Sequence, residues 1–440
     1  MKIFKRLSSF RLIILGFACL IFIGALLLML PVSSAKGEVS KFSDCLFTAT
    51  SAACVTGLIT VDTATHWSAF GQTIIIVLIQ IGGLGVVSIG ALMTVVSGKK
   101  LSLSQRNTVQ ESVNAPRLGG IIRLTLFSLK VTLVIEALGA LALMLIFIPE
   151  FGLKGIWYSI FHSISAFCNA GFDLMGAHAP FSSLTAYSAN AAVCSVIMLL
   201  VIFGGLGFLT WGDFLTHKFR FKRYSLQSKV IIVTSLLLLI LPSIYFFAFE
   251  FKDLPMGERI ISSLFQSVTA RTAGFNTQDQ AALAPASIVL MVVLMLIGGS
   301  PGSTAGGMKT TTFSLCIGTS MSVFKRKNSV GFFGRRIADD TVRCATAILM
   351  LYIALFLLSG CAISLIEDLP MSACLYETAS ALGTVGITLG ITTSLSLPSQ
   401  IILMCLMFLG RVGGLTLIYA AIYKNKADLT KYPVERIAIG

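Results

Sequence analysis

The hexapeptide CNAGFD at residues 168–173 interrupts an otherwise apolar stretch, directly after the run IWYSIFHSISAF. Three other stretches have the same character: CVTGLI at 54–59, RTAGFN at 271–276 and GTVGIT at 383–388. Each contains a glycine that follows three mostly small residues at the end of a short, helix-like apolar run. These glycines lie 114, 103 and 112 residues apart: Gly57, Gly171, Gly274 and Gly386. Such regular spacing indicates an internal fourfold repeat.

The composition indicates the class of protein. The chain of 440 residues is 55% hydrophobic and only 12% charged, with a mean hydropathy of +0.89. A soluble protein normally carries about a quarter charged residues, and many apolar runs here reach the roughly 20 residues that a bilayer span needs. We therefore predict a polytopic membrane protein. The N-terminal apolar run is too long for a signal peptide and is predicted to be the first span.

Basic residues are concentrated in alternate loops. We count 25 of the 33 Lys and Arg residues in five segments: 2–11, 99–130, 218–229, 325–343 and 424–436. The opposite loops carry six. This asymmetry predicts that the basic loops and both termini face the cytoplasm. Topology therefore accounts for the net charge of +14, no nucleic-acid partner is expected, and some basic clusters are expected to contact membrane lipid.

The chain divides into four similar pore units, 1–98, 99–217, 218–325 and 326–440. First spans are predicted near 10–31, 119–147, 227–249 and 340–366. Short helices are predicted near 41–53, 155–167, 257–270 and 370–382. Second spans are predicted near 72–97, 187–216, 286–322 and 398–423.

The short helix of each unit, with about 11–15 residues, cannot cross a bilayer. It must enter and return on the same side, which explains why the loop charges alternate. The predicted fold is an all-α membrane protein with eight transmembrane helices and four re-entrant pore helices. These elements are expected to have pseudo-fourfold symmetry around one ion pore.

A dehydrated cation at membrane depth needs oxygen ligands, and backbone carbonyls aimed at an axis supply them. Non-helical backbone is tolerated there only where it lines a water-filled path, and glycine permits the positive φ that such a loop requires. Asp173 is the one acid close to a loop glycine, two residues after Gly171. The pattern therefore favours carbonyl coordination of a monovalent ion over a ring of carboxylates. An isolated glycine of this kind would indicate a helix C-cap, but four in register favour a filter.

The motifs SAACVTGL, TARTAGFN and ALGTVGIT, together with glycine-rich second spans, resemble the Trk/Ktr/HKT superfamily of potassium transporters. The resemblance covers nearly the whole chain and is greatest to the KtrB membrane subunits of bacterial Ktr systems. It implies one filter strand per unit, and a glycine at residue 57 implies preference for potassium over sodium. The filter residues it implies are Cys54, Val55, Thr56, Gly57, Cys168, Asn169, Ala170, Gly171, Thr272, Ala273, Gly274, Gly383, Thr384, Val385 and Gly386.

The second span of unit three contains LIGGSPGSTAGGMKTTTF at 296–313, with five glycines and a proline. Glycine costs about 1 kcal/mol and proline about 3 kcal/mol in a helix interior. A kinked helix is one interpretation, but we predict that the helix is broken over 298–307. The resemblance implies that this intramembrane loop, 298–309, is the gate. The implied gate residues are Gly298, Gly299, Ser300, Pro301, Gly302, Ser303, Thr304, Gly306, Gly307, Lys309 and Arg411.

Arg411 lies in the apolar run CLMFLGRVGGLTLIYA, where an arginine costs roughly 2.5–3.5 kcal/mol to insert. One interpretation pairs it with an acid such as Glu136, itself isolated in an apolar run. The other places the guanidinium beside the pore below the filter, where it raises the barrier to cations. The two interpretations are compatible.

These features favour potassium uptake through a channel-like pore. A secondary cation symporter with alternating access is the alternative, although such proteins usually carry inverted repeats. An enzyme is not expected, because the four histidines are dispersed and no catalytic, metal or nucleotide motif is found. No cofactor is expected beyond K⁺ as substrate, and the sequence leaves open whether Na⁺ activates transport or is coupled to it.

The resemblance also implies partners. A KtrA-like cytoplasmic ring that binds nucleotide is expected to control the pore. Two copies of this chain are expected to form a homodimer with two independent pores, whose C-terminal tails, residues 432–440, pack at the two-fold interface.

Overall fold

The computed structural model describes residues 9–86, 88–91, 103–112 and 121–413. The predicted tail at 432–440 and parts of the basic segments lie outside the described residues. Within this part, the chain is mostly helical, as predicted. A short antiparallel pair of strands, Gly331–Phe332 and Arg335–Arg336, lies in the predicted loop of unit four.

Each unit begins with a long apolar helix. These first-span helices are Ser9–Leu28, Ile121–Phe151, Leu226–Tyr245 and Asp339–Glu367. The third continues in a π-helical turn, Phe246–Glu250. All four are long and apolar enough to cross a membrane. Their outer faces expose large apolar side chains, such as Leu145 at 80% and Leu365 at 86%, which suits contact with lipid tails.

A short helix follows in each unit: Phe42–Cys54, Lys154–Phe167, Met256–Thr269 and Met371–Gly383. Each has 13 or 14 residues, or about 20 Å at 1.5 Å per residue, so none can span a bilayer alone. Their buried faces are rich in small and hydroxyl side chains, including Ser51, Thr269 and Ser380. The interior of the molecule is therefore more polar than its outer surface.

The second-span helices are shorter than predicted: Ala69–Leu84, Ala191–Gly205, Pro285–Leu296 and Leu397–Val412. The predicted second spans over 72–97, 187–216 and 398–423 are each interrupted by a break in the helix, and residues 87, 92–97 and 414–423 of these ranges lie outside the described residues. Each of these helices stops before a glycine whose φ is close to +90°, at Gly85, Gly207 and Gly413. That conformation cannot continue a right-handed helix. In unit two the chain resumes as Phe208–His217, bent by 96° from the helix before it.

The predicted break in unit three is confirmed. Helix is absent between Leu296 and the next helix, Thr310–Phe324, and the intervening residues 297–309 form an ordered loop. We call this segment the intramembrane loop. Ile297 and Met308 form a parallel bridge at its base, with the Gly298 N–H donating to the Met308 carbonyl at 2.7 Å.

The remaining helical elements are short connections outside this repeat. They are the helices Thr63–His66 and Leu103–Ser112 and the 3₁₀ turns Pro31–Ser33, Met175–Ala177, Thr185–Tyr187, Phe221–Arg223, Gln280–Ala282 and Thr392–Ser394.

Glycines in the second-span helices let the ends of the short helices pack directly against them. A Cβ at Gly82, Gly204 or Gly410 would overlap a backbone carbonyl oxygen of the last turn of its own unit's short helix. These oxygens belong to Ala53, Phe167 and Leu382, each four residues before a loop glycine. The three units therefore hold the end of the short helix at the same place. This contact fixes where the glycine loop begins.

Candidate functional site

The four loop glycines meet in one place. A Cβ added to any of them would meet the backbone of the next unit, in the order one, two, three, four and back to one. The atoms it would meet include, in every unit, the carbonyl oxygen of the residue before the next unit's glycine. These pairs are Gly57 with Ala170 O (2.5 Å), Gly171 with Ala273 O (2.9 Å), Gly274 with Val385 O (2.5 Å), and Gly386 with Thr56 O. The glycines thus form a closed ring, which we call the glycine ring.

The backbone of the four loops has the same unusual conformation. Each ring glycine has a positive φ, between +68° and +97°. The residue two positions earlier also has a positive φ, between +53° and +68°, at Val55, Asn169, Thr272 and Thr384. Three of these four residues are β-branched, for which this region costs about 1–2 kcal/mol. A strained pattern repeated in all four units indicates that the surrounding contacts hold the loops in place.

Hydroxyl groups of the short helices supply part of that support, in two ways. In units one and four, the ring-glycine N–H donates to a serine hydroxyl six residues earlier, Gly57 to Ser51 and Gly386 to Ser380, both at 3.0 Å. In unit two, the Ser165 hydroxyl donates instead to the Phe172 carbonyl at 2.6 Å, and in unit three the Thr269 hydroxyl donates to the Phe275 carbonyl. Each loop is therefore tied to its own short helix.

The structure brings together the residues that the sequence assigned to a filter, with one distinction. Cys54 and Gly383 are the last residues of their short helices, and Cys168 caps its helix in a right-handed conformation. These three lie at the entrance to the loops. The loop residues proper are Val55, Thr56, Gly57, Asn169, Ala170, Gly171, Thr272, Ala273, Gly274, Thr384, Val385 and Gly386.

The intramembrane loop contacts the second-span helices of units two and four. The Ser300 and Thr304 N–H groups donate to the Gly205 and Gly204 carbonyls, at 3.0 and 3.3 Å, and the Gly307 N–H donates to the Gly410 carbonyl at 3.2 Å. The residues after the break at Gly205 also bind the intramembrane loop, because the Phe208 N–H donates to the Gly302 carbonyl at 2.8 Å. The end of the unit-two helix therefore serves as a docking point for the loop.

Two residues of the intramembrane loop directly contact the filter loops, the loops of the four units that contain the ring glycines. The Thr304 hydroxyl lies 3.0 Å from the Phe167 carbonyl oxygen and 3.3 Å from Oδ1 of Asn169. Asn169 in turn donates from Nδ2 to the Thr272 hydroxyl at 3.3 Å, which joins units two and three. A Cβ on Gly306 would overlap the side chain of Thr384. The intramembrane loop therefore lies against the residues that precede the ring glycines of units two and four.

Arg411 links three units. Its guanidinium donates to the Thr304 carbonyl of the intramembrane loop and to the Gly82 and Gly83 carbonyls of unit one, the last at 2.8 Å. A hydrogen bond from a charged donor contributes about 1.5–3 kcal/mol. Three of them can therefore offset the roughly 2.5–3.5 kcal/mol cost of inserting the arginine. Arg411 therefore lies next to the intramembrane loop.

The alternative pairing of Arg411 with Glu136 is wrong. Glu136 accepts a hydrogen bond from Gln80 Nε2 at 3.1 Å and another from the Cys168 thiol at 3.8 Å. It is buried in the first-span helix of unit two, behind the filter loop of that unit. Its partners are therefore neutral groups of units one and two.

A cavity of about 580 Å³ adjoins the intramembrane loop. Pro301, Gly302, Ser303, Lys309 and Arg411 contribute to its wall, together with residues near the basic ends of the first-span helices. The Lys309 ammonium donates to the Ala305 carbonyl at 2.8 Å, so this cation is held by the loop itself. The intramembrane loop thus separates the cavity from the glycine ring.

The chemistry available at the glycine ring is that of backbone oxygens. Equivalent carbonyls from four units can replace the water shell of a monovalent cation. Groups of His, Cys, Asp and Glu able to hold a metal ion are not found within the described residues. The sequence analysis did not predict the hydroxyl ties, which are the hydrogen bonds between short-helix hydroxyl groups and the loop backbone. It did not predict the contact between Asn169 and Thr304 either. The signal for the ties was a serine six residues before the glycine in units one, two and four.

Comparisons with known proteins give consistent matches over almost the whole chain. A family model described as TrkH, cation transport protein, matches residues 8–431. Potassium/sodium uptake protein NtpJ of Enterococcus hirae is 42% identical, with 100% of this chain and 99% of that protein covered. Ktr system potassium uptake protein B of Bacillus subtilis is 36% identical, with 99% and 97% covered.

A solved structure has the same fold. The crystal structure of the potassium transporter TrkH from Vibrio parahaemolyticus superposes with a TM-score of 0.74 at 18% identity. The match covers 93% of this chain and 83% of that chain. At this level of identity the match carries information about the fold only.

We predict that Ser380→Ala destabilises the protein by about 1–3 kcal/mol, because the buried Gly386 amide then has no acceptor. Ser51→Ala should have a similar effect through Gly57. The measurement is thermal unfolding in detergent. Ser394→Ala is the matched control, since its hydroxyl donates to the Ile391 carbonyl on an exposed turn, and should change stability by less than about 0.5 kcal/mol. Equal melting temperatures for all three variants would contradict the role of the hydroxyl ties.

Proposed function

The chain belongs to the TrkH family of cation transport proteins, and we propose that it carries potassium into the cell through a single pore lined by the four filter loops. The glycine ring carries this proposal. Four equivalent carbonyl oxygens from four units, each beside the ring glycine of the preceding unit, form the kind of site that binds a dehydrated monovalent cation. A transport protein of this family is not an enzyme.

The architecture that suits this pore has eight membrane spans and four re-entrant pore helices. The short helices fill the second role, since each is followed by its own filter loop. The first-span helices are four of the eight spans. The other four are the second-span helices together with the segments that follow their breaks. These breaks lie at Gly85, Gly207 and Gly413 and at the intramembrane loop. Four units arranged in chain order around the glycine ring then give pseudo-fourfold symmetry. Both termini face the cytoplasm in this arrangement, as the charge asymmetry favours.

Potassium is proposed over sodium as the transported ion for two reasons. Two similar proteins are described as potassium uptake proteins, one of them also for sodium. In addition, every loop has glycine at the ring position, so that no side chain narrows the ring or replaces a carbonyl oxygen as ligand. Sodium enters the proposal as an activator or a coupled ion.

The intramembrane loop is proposed to gate this pore. It lies between the glycine ring and the 580 Å³ cavity, which would be the inner vestibule. Arg411 fixes the loop to unit one through the carbonyls of Gly82 and Gly83. Opening then requires that these hydrogen bonds break or move together with the loop, and a guanidinium beside the path repels cations while it stays there.

Control from outside the chain is proposed as well. An ungated potassium pore would dissipate the membrane potential. Three similar proteins are named as potassium uptake proteins of a Ktr system, which supports a multi-subunit assembly. We propose a homodimer seated on a cytoplasmic ring that binds nucleotide and acts on the intramembrane loop of each copy.

We predict that Gly57→Ser lowers the discrimination between potassium and sodium by at least about tenfold, or about 1.4 kcal/mol. A Cβ at Gly57 would lie 2.5 Å from the Ala170 carbonyl oxygen, so the substitution displaces one ligand while three loops keep theirs. The measurement is competitive ⁸⁶Rb⁺ uptake into proteoliposomes against K⁺ and Na⁺.

Gly37→Ser is the matched control for this substitution. Gly37 also has a positive φ, +72°, but nothing lies within 4 Å of its added Cβ. Both variants therefore strain the backbone, and only Gly57→Ser intrudes on the ring. Unchanged selectivity in Gly57→Ser would show that residues 54–58 are not part of the filter.

We predict that Arg411→Met raises the basal potassium flux about tenfold, because the intramembrane loop loses its bonds to unit one and the path loses a positive charge. Deleting part of residues 300–306 should also raise flux. Stopped-flow flux from proteoliposomes measures both. Arg259→Met is the control, since this arginine donates to the Phe247 carbonyl at 2.8 Å outside the pore. Flux equal to wild type in both gate variants would show that the segment is only a break in the helix.

We predict that flux responds to ATP and ADP only when the ring protein is present, and that removing residues 432–440 converts the dimer to a monomer. The first is measured by flux with and without the ring, and the second by mass in detergent. A truncated chain that stays dimeric would eliminate the role of the tail. Flux that ignores nucleotide with the ring bound would eliminate the regulatory half of the proposal.

A further inference from the structure

The short helices of units two, three and four share a feature that the filter alone does not explain. Each carries a fully buried polar side chain eight or nine residues before its ring glycine: His162, Gln266 and Glu377. Each side chain bonds to the chain beyond the ring. His162 Nε2 lies 3.3 Å from the Leu174 amide nitrogen, and Gln266 Nε2 donates to Gln280 Oε1 at 2.6 Å. In unit one the tie lies nearer the start of the helix, where Thr60 donates to Asp44 at 3.0 Å.

Glu377 differs from the others in chemistry, because it is an acid in a fully buried position. The Thr388 hydroxyl donates to its Oε1, and the Thr392 hydroxyl donates to its Oε2 at 3.0 Å. Thr388 Oγ1 itself accepts the Gly390 N–H at 2.8 Å and lies 3.0 Å from Thr392 Oγ1. The Glu377 carboxylate thus holds two threonines of the segment that follows the ring glycine of unit four.

The unit-four filter loop is consequently held from both sides of its ring glycine. Ser380 accepts the N–H of Gly386 itself, and Glu377 holds Thr388, two residues further on. Both anchors lie on the same helix, three residues apart, and so face the loop together. A displacement of Thr388 would be passed to Gly386 through only one intervening residue.

We propose that Glu377 is a positioning residue for the filter, which acts through Thr388 to keep the unit-four loop in its strained conformation and so sets the discrimination between potassium and sodium. This inference rests on the proposed function of the glycine ring. The side chain is buried behind the loop and is not proposed as an ion ligand.

A cation does not account for the burial of this carboxylate. Within the described residues, the ion pairs join His178 to Glu150 and Arg336 to Asp339. The carboxylate is instead hydrogen-bonded by the hydroxyl groups of Thr388 and Thr392 and by the backbone at Leu389. Glutamine keeps the length and shape of the side chain but offers one oxygen instead of two. The threonine hydroxyl that faces the amide nitrogen would then lose its acceptor.

The test compares Glu377→Gln with Glu367→Gln. Glu367 lies in the same unit and also accepts from a hydroxyl group and an amide, those of Ser396, but at the outer end of the second-span helix, away from the ring. Thr388→Val and the double variant Glu377→Gln/Thr388→Val complete the set. Gly57→Ser serves as a reference for loss of selectivity. All are measured by competitive Rb⁺, K⁺ and Na⁺ uptake in proteoliposomes, with melting temperatures recorded beside them.

We expect Glu377→Gln to lower the preference for potassium over sodium about fivefold or more, with Glu367→Gln equal to wild type. Thr388→Val, which changes no charge, should do the same. The double variant should be no worse than the more severe single variant, because both remove one interaction. A merely structural role would lower the melting temperature and leave selectivity unchanged.

Two results would overturn the inference. If Gly57→Ser loses selectivity while Glu377→Gln and Thr388→Val both match Glu367→Gln, the filter stands and Glu377 has no part in it. If wild type shows no potassium preference, the proposed function fails, and this inference fails with it. Should Glu377→Gln not fold, Thr388→Val decides the question alone, because Thr388 lies in a partly exposed segment.

Discussion

The close approach of four backbone segments inside a membrane is the constraint on which the rest of this structure depends. At the glycine ring, each loop lies so near the next that a single added Cβ would collide with a carbonyl oxygen. Lipid offers no hydrogen bonds to such backbone. The loops must therefore be surrounded by protein on every side except the one that faces the ion. Short helices, broken second spans and buried hydroxyl groups all serve this requirement.

The same constraint explains why small residues recur behind the ring. Gly82, Gly204 and Gly410 allow the last turn of the short helix in units one, two and four to pack against a second-span helix. Ser51 and Ser380 then satisfy the amides of Gly57 and Gly386. A larger residue at any of these positions would move the end of a short helix, and the filter loop would move with it. The outer surface does not require such close packing, and it presents large apolar side chains to lipid.

Much of this arrangement was predictable from the sequence, because it depends on local patterns. The repeat of Gly57, Gly171, Gly274 and Gly386 predicted the ring, and short apolar runs before them predicted helices too short to span. The density of glycine and proline over 298–307 predicted the break in unit three. The predicted family was confirmed by matches over nearly the whole chain.

Other features were not predictable, because tertiary contacts decide them. In the sequence, the breaks after Leu84, Gly205 and Val412 look like ordinary apolar helix, since glycine is tolerated in membrane helices. The structure shows the intramembrane loop docked on Gly205 and Gly410, close to two of these breaks. The partners of Arg411 are backbone carbonyls in two other units, and no sequence pattern marks a carbonyl as an acceptor. The contact of Thr304 with Asn169 joins residues 135 positions apart.

The central claim is that the glycine ring binds a dehydrated potassium ion through backbone carbonyls. Anomalous diffraction from crystals grown in Rb⁺ in place of K⁺ tests it most directly, since the ion is then located without reference to transport. The account predicts an anomalous peak on the axis of the ring, within coordination distance of the carbonyls of Thr56, Ala170, Ala273 and Val385. A peak elsewhere in the membrane region, with none inside the ring, would contradict it.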